Sequence, residues 1–362
     1  MSNPADHFPP DYRTARANFI AACEAAGLGV TTRVHPHATG MDGKPLFIDL
    51  AAIGPREAKS ALLLNSATHG VEGYFGSAVQ TGLLREGLTA RAPKDTRIVL
   101  LHALNPYGFS WDRRTNEDNV DLNRNFVDHA NPPANPAYDE LADAISPRSI
   151  TEDSMNAADA QLHAYGQTHG ADALAAAIST GQHTDPHGVY YGGVKEAWSA
   201  AMLRNVFTEE FTAIERMIGI DFHTGLGAYG AGEMISEDAP DSAAFKRAKA
   251  LWGTRVTSSQ AGESVSPPLV GTVDDAVAQM MAGRELTFGA LEVGTYSVVD
   301  VFGAMRADNW LYNYASEAEY RAQNDAIRAQ IRRAFYPDQD DWKAMVWDHA
   351  DAVVNQALAA LA

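Results

Sequence analysis

A histidine and a carboxylate three positions apart, His69 and Glu72, follow the apolar run Leu62-Leu63-Leu64 and the small or polar Asn65-Ser66-Ala67-Thr68. A chain that leaves a buried strand in this way sets both side chains on the turn at the strand's C-terminal end, where open α/β sheets keep their sites. One imidazole nitrogen and one carboxylate oxygen are two-thirds of a zinc shell of the His₂Glu type, which needs a second histidine and leaves a position open. His223 is the candidate. It too follows an apolar stretch, Ile218-Gly219-Ile220-Asp221-Phe222, and precedes Thr224-Gly225. Asp221 lies two residues earlier, on the same side of an extended strand. It is placed either to orient an imidazole N–H or to serve as a plain surface or capping carboxylate.

Glu292 is a charge in the otherwise uncharged, largely apolar pattern of residues 286–295. Burying a carboxylate without a partner is costly, so it faces either solvent or a cation. Beside a water acidified by a metal it is a general base, able to take the proton and pass it to a leaving amine. Residues 111–115 and 120–126 hold Arg113, Arg114 and Arg124 in a short window. Guanidinium groups bind carboxylates bidentately and stabilise an oxyanion on a scissile carbonyl. The same cluster would also suit an ordinary ion-paired surface.

The elements that must position these residues are legible as periodicities. Residues 11–27 have helical spacing, with Gly27 placed to end the helix and Cys23 on its buried face. Residues 30–35 and 46–50 read as strands around a turn-rich 40–43. A helix over 75–85 follows the ligand turn, and 97–104 is a second continuous apolar strand, broken by Asn105-Pro106. Residues 131–147 read as an irregular surface connection, 153–180 as an Ala-rich helical stretch, and 196–210 and 243–252 as helices. Strands are expected over 218–222 and 286–293. From Ser316, whose capping box pairs it with Glu319, two helical segments are split by Tyr336-Pro337. Apolar runs this unbroken belong to strands buried on both faces. The expected fold class is therefore α/β, a three-layer α/β/α sandwich with a central mixed, mostly parallel sheet, and residues 1–362 form one domain.

Composition narrows the function. The formal charge of -18 argues against nucleic acid or an anionic membrane as partner, and any anionic substrate must meet a local arginine cluster. A single cysteine excludes an internal disulfide. The first residues show no basic segment leading into an apolar one, and no run approaches the ~20 residues of a membrane span. A cytoplasmic location is expected.

The order His69-x-x-Glu72, Asn123-Arg124, His223 after a strand, and Glu292 in Thr-Phe-x-x-x-Glu resembles the zinc carboxypeptidase (M14) family. In particular it resembles the bacterial DUF2817 branch, where His-Gly-x-Glu-Gly and Asn-Arg-Asn-Phe motifs are typical. The resemblance runs from about Leu46 to Tyr296. It implies Zn²⁺ held by His69, Glu72 and His223, with Glu292 as base. It further implies that Arg124 with Asn123 clamps a substrate's terminal carboxylate. The family's carbonyl-polarising arginine falls on Arg113 when Thr115 is aligned, with Arg114 beside it on the substrate. The family's mobile tyrosine has four candidates, Tyr190, Tyr191, Tyr229 and Tyr296, of which Tyr191 is assigned to substrate binding. His183 and His187 are read as loop histidines bordering the cleft and not as ligands. The implied substrate is a peptide or an N-acyl amino acid with a free carboxylate. The corresponding activities are a carboxypeptidase, an amidohydrolase of the succinylglutamate desuccinylase or aspartoacylase type, or a non-catalytic binder of peptide tails.

Overall fold

The computed structural model describes residues 3–362; Met1 and Ser2 of the N-terminal stretch lie outside the described residues. Among the described residues eight strands form one sheet: β1 (Val30–Thr39), β2 (Pro45–Ile53), β3 (Ser60–Ser66), β4 (Thr96–His102), β5 (Arg216–Thr224), β6 (Gly232–Ser236), β7 (Val256–Ser258) and β8 (Glu285–Val293). Their order is β1-β2-β4-β3-β5-β8-β6-β7. The central strands β4, β3, β5 and β8 run parallel. Pairs β1–β2, β2–β4 and β6–β8 are antiparallel, so the sheet is mixed, as expected.

Alternation along β3 explains the layers. Leu62 and Leu64 pack with helices Gly73–Arg85 and Asp340–Leu361 on one face. Leu63 packs with helices Trp198–Glu210 and Val273–Met280 on the other. A strand buried on both sides has no polar face, which is why its sequence is an unbroken apolar run. Cys23 is fully buried, as its helical spacing requires.

Several spans differ from the sequence reading. Residues 131–147 are not irregular: helix Pro136–Ile145 starts with Asn135 accepting from the Tyr138 N–H and with proline in the first turn. That is a helix-start signature inside a Pro-rich stretch. The Ala-rich stretch is two helices, Glu152–His169 and Ala171–Ser179, broken at Gly170 with φ +94°. Asn105-Pro106 ends β4 but also opens the short helix Pro106–Trp111. Strands β6 and β7 and helices Val273–Met280 and Val298–Asn313 were not anticipated; β6 and β7 are only five and three residues long. Among the described residues, no helix is long and apolar enough to cross a membrane.

Candidate active site

Three neighbouring parallel strands deliver the candidate ligands and the candidate base. β3 ends in Ser66, and the chain turns through Ala67, in the left-handed region at φ +59°, to His69 and the 3₁₀ turn Gly70–Glu72. This turn is locked against the arginine segment. The Gly70 N–H donates to the Arg114 carbonyl at 3.2 Å and the Val71 N–H to that of Arg113 at 2.8 Å. A Cβ on Gly70 would lie 2.0 Å from the Gly108 backbone, so only glycine allows the approach. β5 carries Asp221 and His223, and β8 carries Glu292 as the register partner of His223.

His69, Glu72 and His223 are all buried, and one ligand atom from each lies within 4.8 Å of the others. Each imidazole turns Nε2 to an aspartate: His69 to Asp121 at 3.0 Å, His223 to Asp221 at 2.8 Å. Ionised carboxylates only accept, so each Nε2 is the donor and Nδ1 of a neutral ring keeps its lone pair. Both Nδ1 atoms then point at Glu72, at 3.0 Å from Oε1 for His69 and 3.1 Å from Oε2 for His223. His69 Nδ1 is buried and makes no hydrogen bond there. Lone pairs from three side chains thus converge on one point, an arrangement that asks for a cation. Burial works against a charged His223, yet Asp221 and Glu72 hold its pKa well above the usual value. Glu72 follows the same logic. Burial alone would raise it, but the two imidazoles hold its carboxyl below the ordinary range. The same carboxylates that hold a proton on His223 would attract a dication, and two imidazole nitrogens, one carboxylate and the aspartates behind them fit a zinc-type centre.

The aspartates are themselves fixed. Asp221 accepts from Asn65 Nδ2 and Thr68 Oγ1, both at 2.8 Å. Asp121 caps the turn Leu122–Arg124 and accepts from Arg114 Nε at 2.9 Å. Arg114 Nη1 also reaches Glu72 Oε1 at 3.1 Å. Burial and the negative charge of Glu72 push Glu292 up to about 8, and its Oε1 accepts from the Leu226 N–H at 2.9 Å.

The cluster lies in a cleft of about 710 Å³ lined by His69, His223, Glu292, Arg114, Asn123, Arg124 and Tyr190. The buried Arg124 gives Nε and Nη2 to the Ser179 carbonyl and Nη1 to that of Asn123. Of its five N–H groups, this leaves one on each terminal nitrogen, the pair a carboxylate can bridge. Asn123 spends its side-chain oxygen on the Val273 N–H at 2.9 Å.

Two of the expected residues lie outside this cleft. Arg113 does not line this cleft. Its Nε pairs with Asp308 at 3.0 Å and its guanidinium stacks 3.6 Å from the Tyr312 ring centroid. Asp112, left-handed at φ +54° and held by Tyr74 and Arg328, turns the chain so that Arg114 faces the cluster instead. Likewise Tyr191 is buried away from the cleft, while Tyr190 lines it, with Arg114 and Arg124 at 5.4 and 5.5 Å from its ring centroid. Tyr190 has φ +57°, a strained backbone for a bulky residue and one that aims the ring between the arginines. His183 and His187 stay outside the cleft. Asp121 escaped the sequence reading as a site residue; its signal was a carboxylate between the apolar Val120 and Leu122.

A family model described as "Protein of unknown function (DUF2817)" matches residues 8–349. No curated protein matches the chain in sequence. Among solved structures, bovine thrombin-activatable fibrinolysis inhibitor is similar at 10% identity and a TM-score of 0.44, over 95% of this chain and 98% of that one. Carboxypeptidase A from Helicoverpa armigera is similar at 11% identity and 0.45, over 90% and 74%. An aspartoacylase family protein from Mesorhizobium loti is similar at 13% and 0.38, over 79% and 67%.

Proposed function

We propose that this chain, which belongs to the DUF2817 family, is a zinc-dependent hydrolase of amide bonds that lie next to a free carboxylate, residues 1–362 acting as one catalytic domain. The observation that carries this reading is the convergence of His69 Nδ1, His223 Nδ1 and the Glu72 carboxylate, with Glu292, Arg114 and Arg124 around the same cleft. A divalent ion held by His69, Glu72 and His223 would supply Lewis acidity to the reacting carbonyl and water.

The remaining work belongs to side chains. The two unspent N–H groups of Arg124 hold the substrate carboxylate and fix its register. Arg114, with Nε and Nη1 on Asp121 and Glu72, offers Nη2 to the oxygen that gains charge as water adds to the amide carbon. Glu292 takes a proton from the attacking water and returns it to the departing nitrogen. Asp121 and Asp221 keep both imidazoles in the tautomer that turns Nδ1 to the ion. Tyr190 closes the cleft between the arginines.

A C-terminal peptide bond and the amide of an N-acyl amino acid present the same groups to this machinery. This places the carboxypeptidase-type and amidohydrolase-type readings on one mechanism. The full set of base and arginines speaks against a non-catalytic peptide-tail binder. The test is mass-spectrometric readout of a peptide library and an N-acyl amino acid panel, before and after chelation. Hydrolysis that stops with the chelator and returns with zinc supports the proposal. Absence of hydrolysis by the zinc-loaded protein on both panels rejects it.

A further inference from the structure

The cleft is far from uniform. Beyond the charged cluster one arm is walled by helices. Helix Ala171–Ser179 presents Leu174 and Ile178, four residues apart and so on one face. Its C-terminal carbonyl, from Ser179, holds Arg124. Helix Val298–Asn313 presents Phe302 and Met305, and Met305 Sδ lies 3.8 Å from the Tyr190 hydroxyl. At the lip, Val298 and Val299 stand 65% and 75% exposed while lining the same cleft. Charge in this arm is partly used: Arg306 binds Asp159 at 2.6 Å and the Ala144 carbonyl at 2.9 Å, which leaves its buried Nε without a partner.

These walls discriminate between the two substrate chemistries. A peptide extending from the cut bond carries an N–H and a C=O at every residue, and each needs a partner once out of water. Midway along the helices the backbone groups are bonded internally, so donors remain only at the first turns, around Ala171 and at Val298 and Val299 near the lip. An alkyl chain asks only for apolar surface. Exposed valines at the mouth are the cost of admitting such a chain.

Resting on the hydrolase reading above, we propose that the substrate is an N-acyl amino acid with a long aliphatic acyl group, its carboxylate on Arg124 and its chain in the helical arm. Hydrolysis consumes one water: its oxygen joins the acyl carbon, the C–N bond breaks, and the nitrogen leaves protonated. The products are a fatty acid and a free amino acid.

The test uses the zinc-loaded protein and N-acetyl, N-octanoyl and N-dodecanoyl amino acids sharing one head group, with alanine, glutamate and lysine heads in turn. Tripeptides ending in the same residues form the fourth arm. kcat/KM is expected to rise with acyl length, by up to about fourfold per buried methylene. Ala175→Trp, on an exposed position of the arm, should lower the dodecanoyl-to-acetyl ratio at least tenfold. Equal or faster cleavage of acetyl substrates or tripeptides overturns the inference but keeps the hydrolase. So does a rate that follows the head residue instead of acyl length. An unchanged ratio in Ala175→Trp overturns the placement of the chain. If no member is cut, the hydrolase reading falls and takes this inference with it.

Discussion

His223 and Glu292 stand side by side as register partners on the parallel strands β5 and β8, and both line the cleft. A candidate ligand and a candidate base are therefore held by the same ladder of backbone hydrogen bonds, at a spacing that no loop movement can alter. Glu292 sits close enough to Glu72 that burial and this like charge together push it up to about 8 in the ion-free chain.

That shift has a sign. Between about pH 4.5, where the unfolded chain releases this proton, and about 8, the folded ion-free chain binds more protons than the unfolded one. The contribution of this one group to stability must fall as pH rises through that window. Glu292→Gln removes the dependence. In urea unfolding of chelator-treated protein, the variant should gain on the wild type by on the order of 3 kcal/mol from about pH 5 to about pH 8.5. A pH-independent difference rejects the assignment.

Adjacent arginines should behave oppositely. Arg114→Lys loses the fork that spans Asp121, Glu72 and the cleft, so kcat should fall roughly 10²- to 10³-fold with little change in melting temperature. Arg113→Lys breaks the buried fork to Asp308 and Asn119. It should cost roughly 2–4 kcal/mol of stability while the folded fraction turns over normally. Steady-state kinetics set beside thermal melts separates the two.

The aspartates behind the histidines should control metal affinity. Asp121→Asn and Asp221→Asn each keep the shape and weaken the hold on Nε2. Zinc affinity, measured by competition with a chromophoric chelator, should drop roughly 10- to 100-fold in each. An unchanged affinity means that the aspartates serve only the fold.

Arg124 should read the carboxylate and nothing else. Arg124→Gln is expected to lower kcat/KM on free-acid substrates by roughly 10²-fold or more. On the same substrates with the carboxylate amidated, the variant and the wild type should be equally poor. A similar loss on both forms would assign Arg124 to packing.

The gathering of four candidate residues was legible because each lies in or just after an apolar strand: His69 and Glu72 after 62–64, His223 after 218–222, Glu292 within 286–293. Such interruptions record burial, which periodicity reads well. Direction was illegible. Arg113 and Arg114 are adjacent, and only the left-handed turn at Asp112 decides which one faces the cluster; the same holds for Tyr190 against Tyr191. The helical wall also gave no signal, since an Ala-rich stretch looks alike whether its apolar face covers a core or lines a cleft. Helix Pro136–Ile145 was hidden by the prolines and asparagines that start it.

The most direct test of the central claim is calorimetric titration of chelator-treated protein with zinc, on the wild type, Glu292→Gln and His223→Ala. One ion per chain is expected for the wild type and for Glu292→Gln, with turnover only in the former and tight binding lost in His223→Ala. A wild type that binds no zinc, or a Glu292→Gln protein that still hydrolyses its substrate at the wild-type rate, would contradict the account.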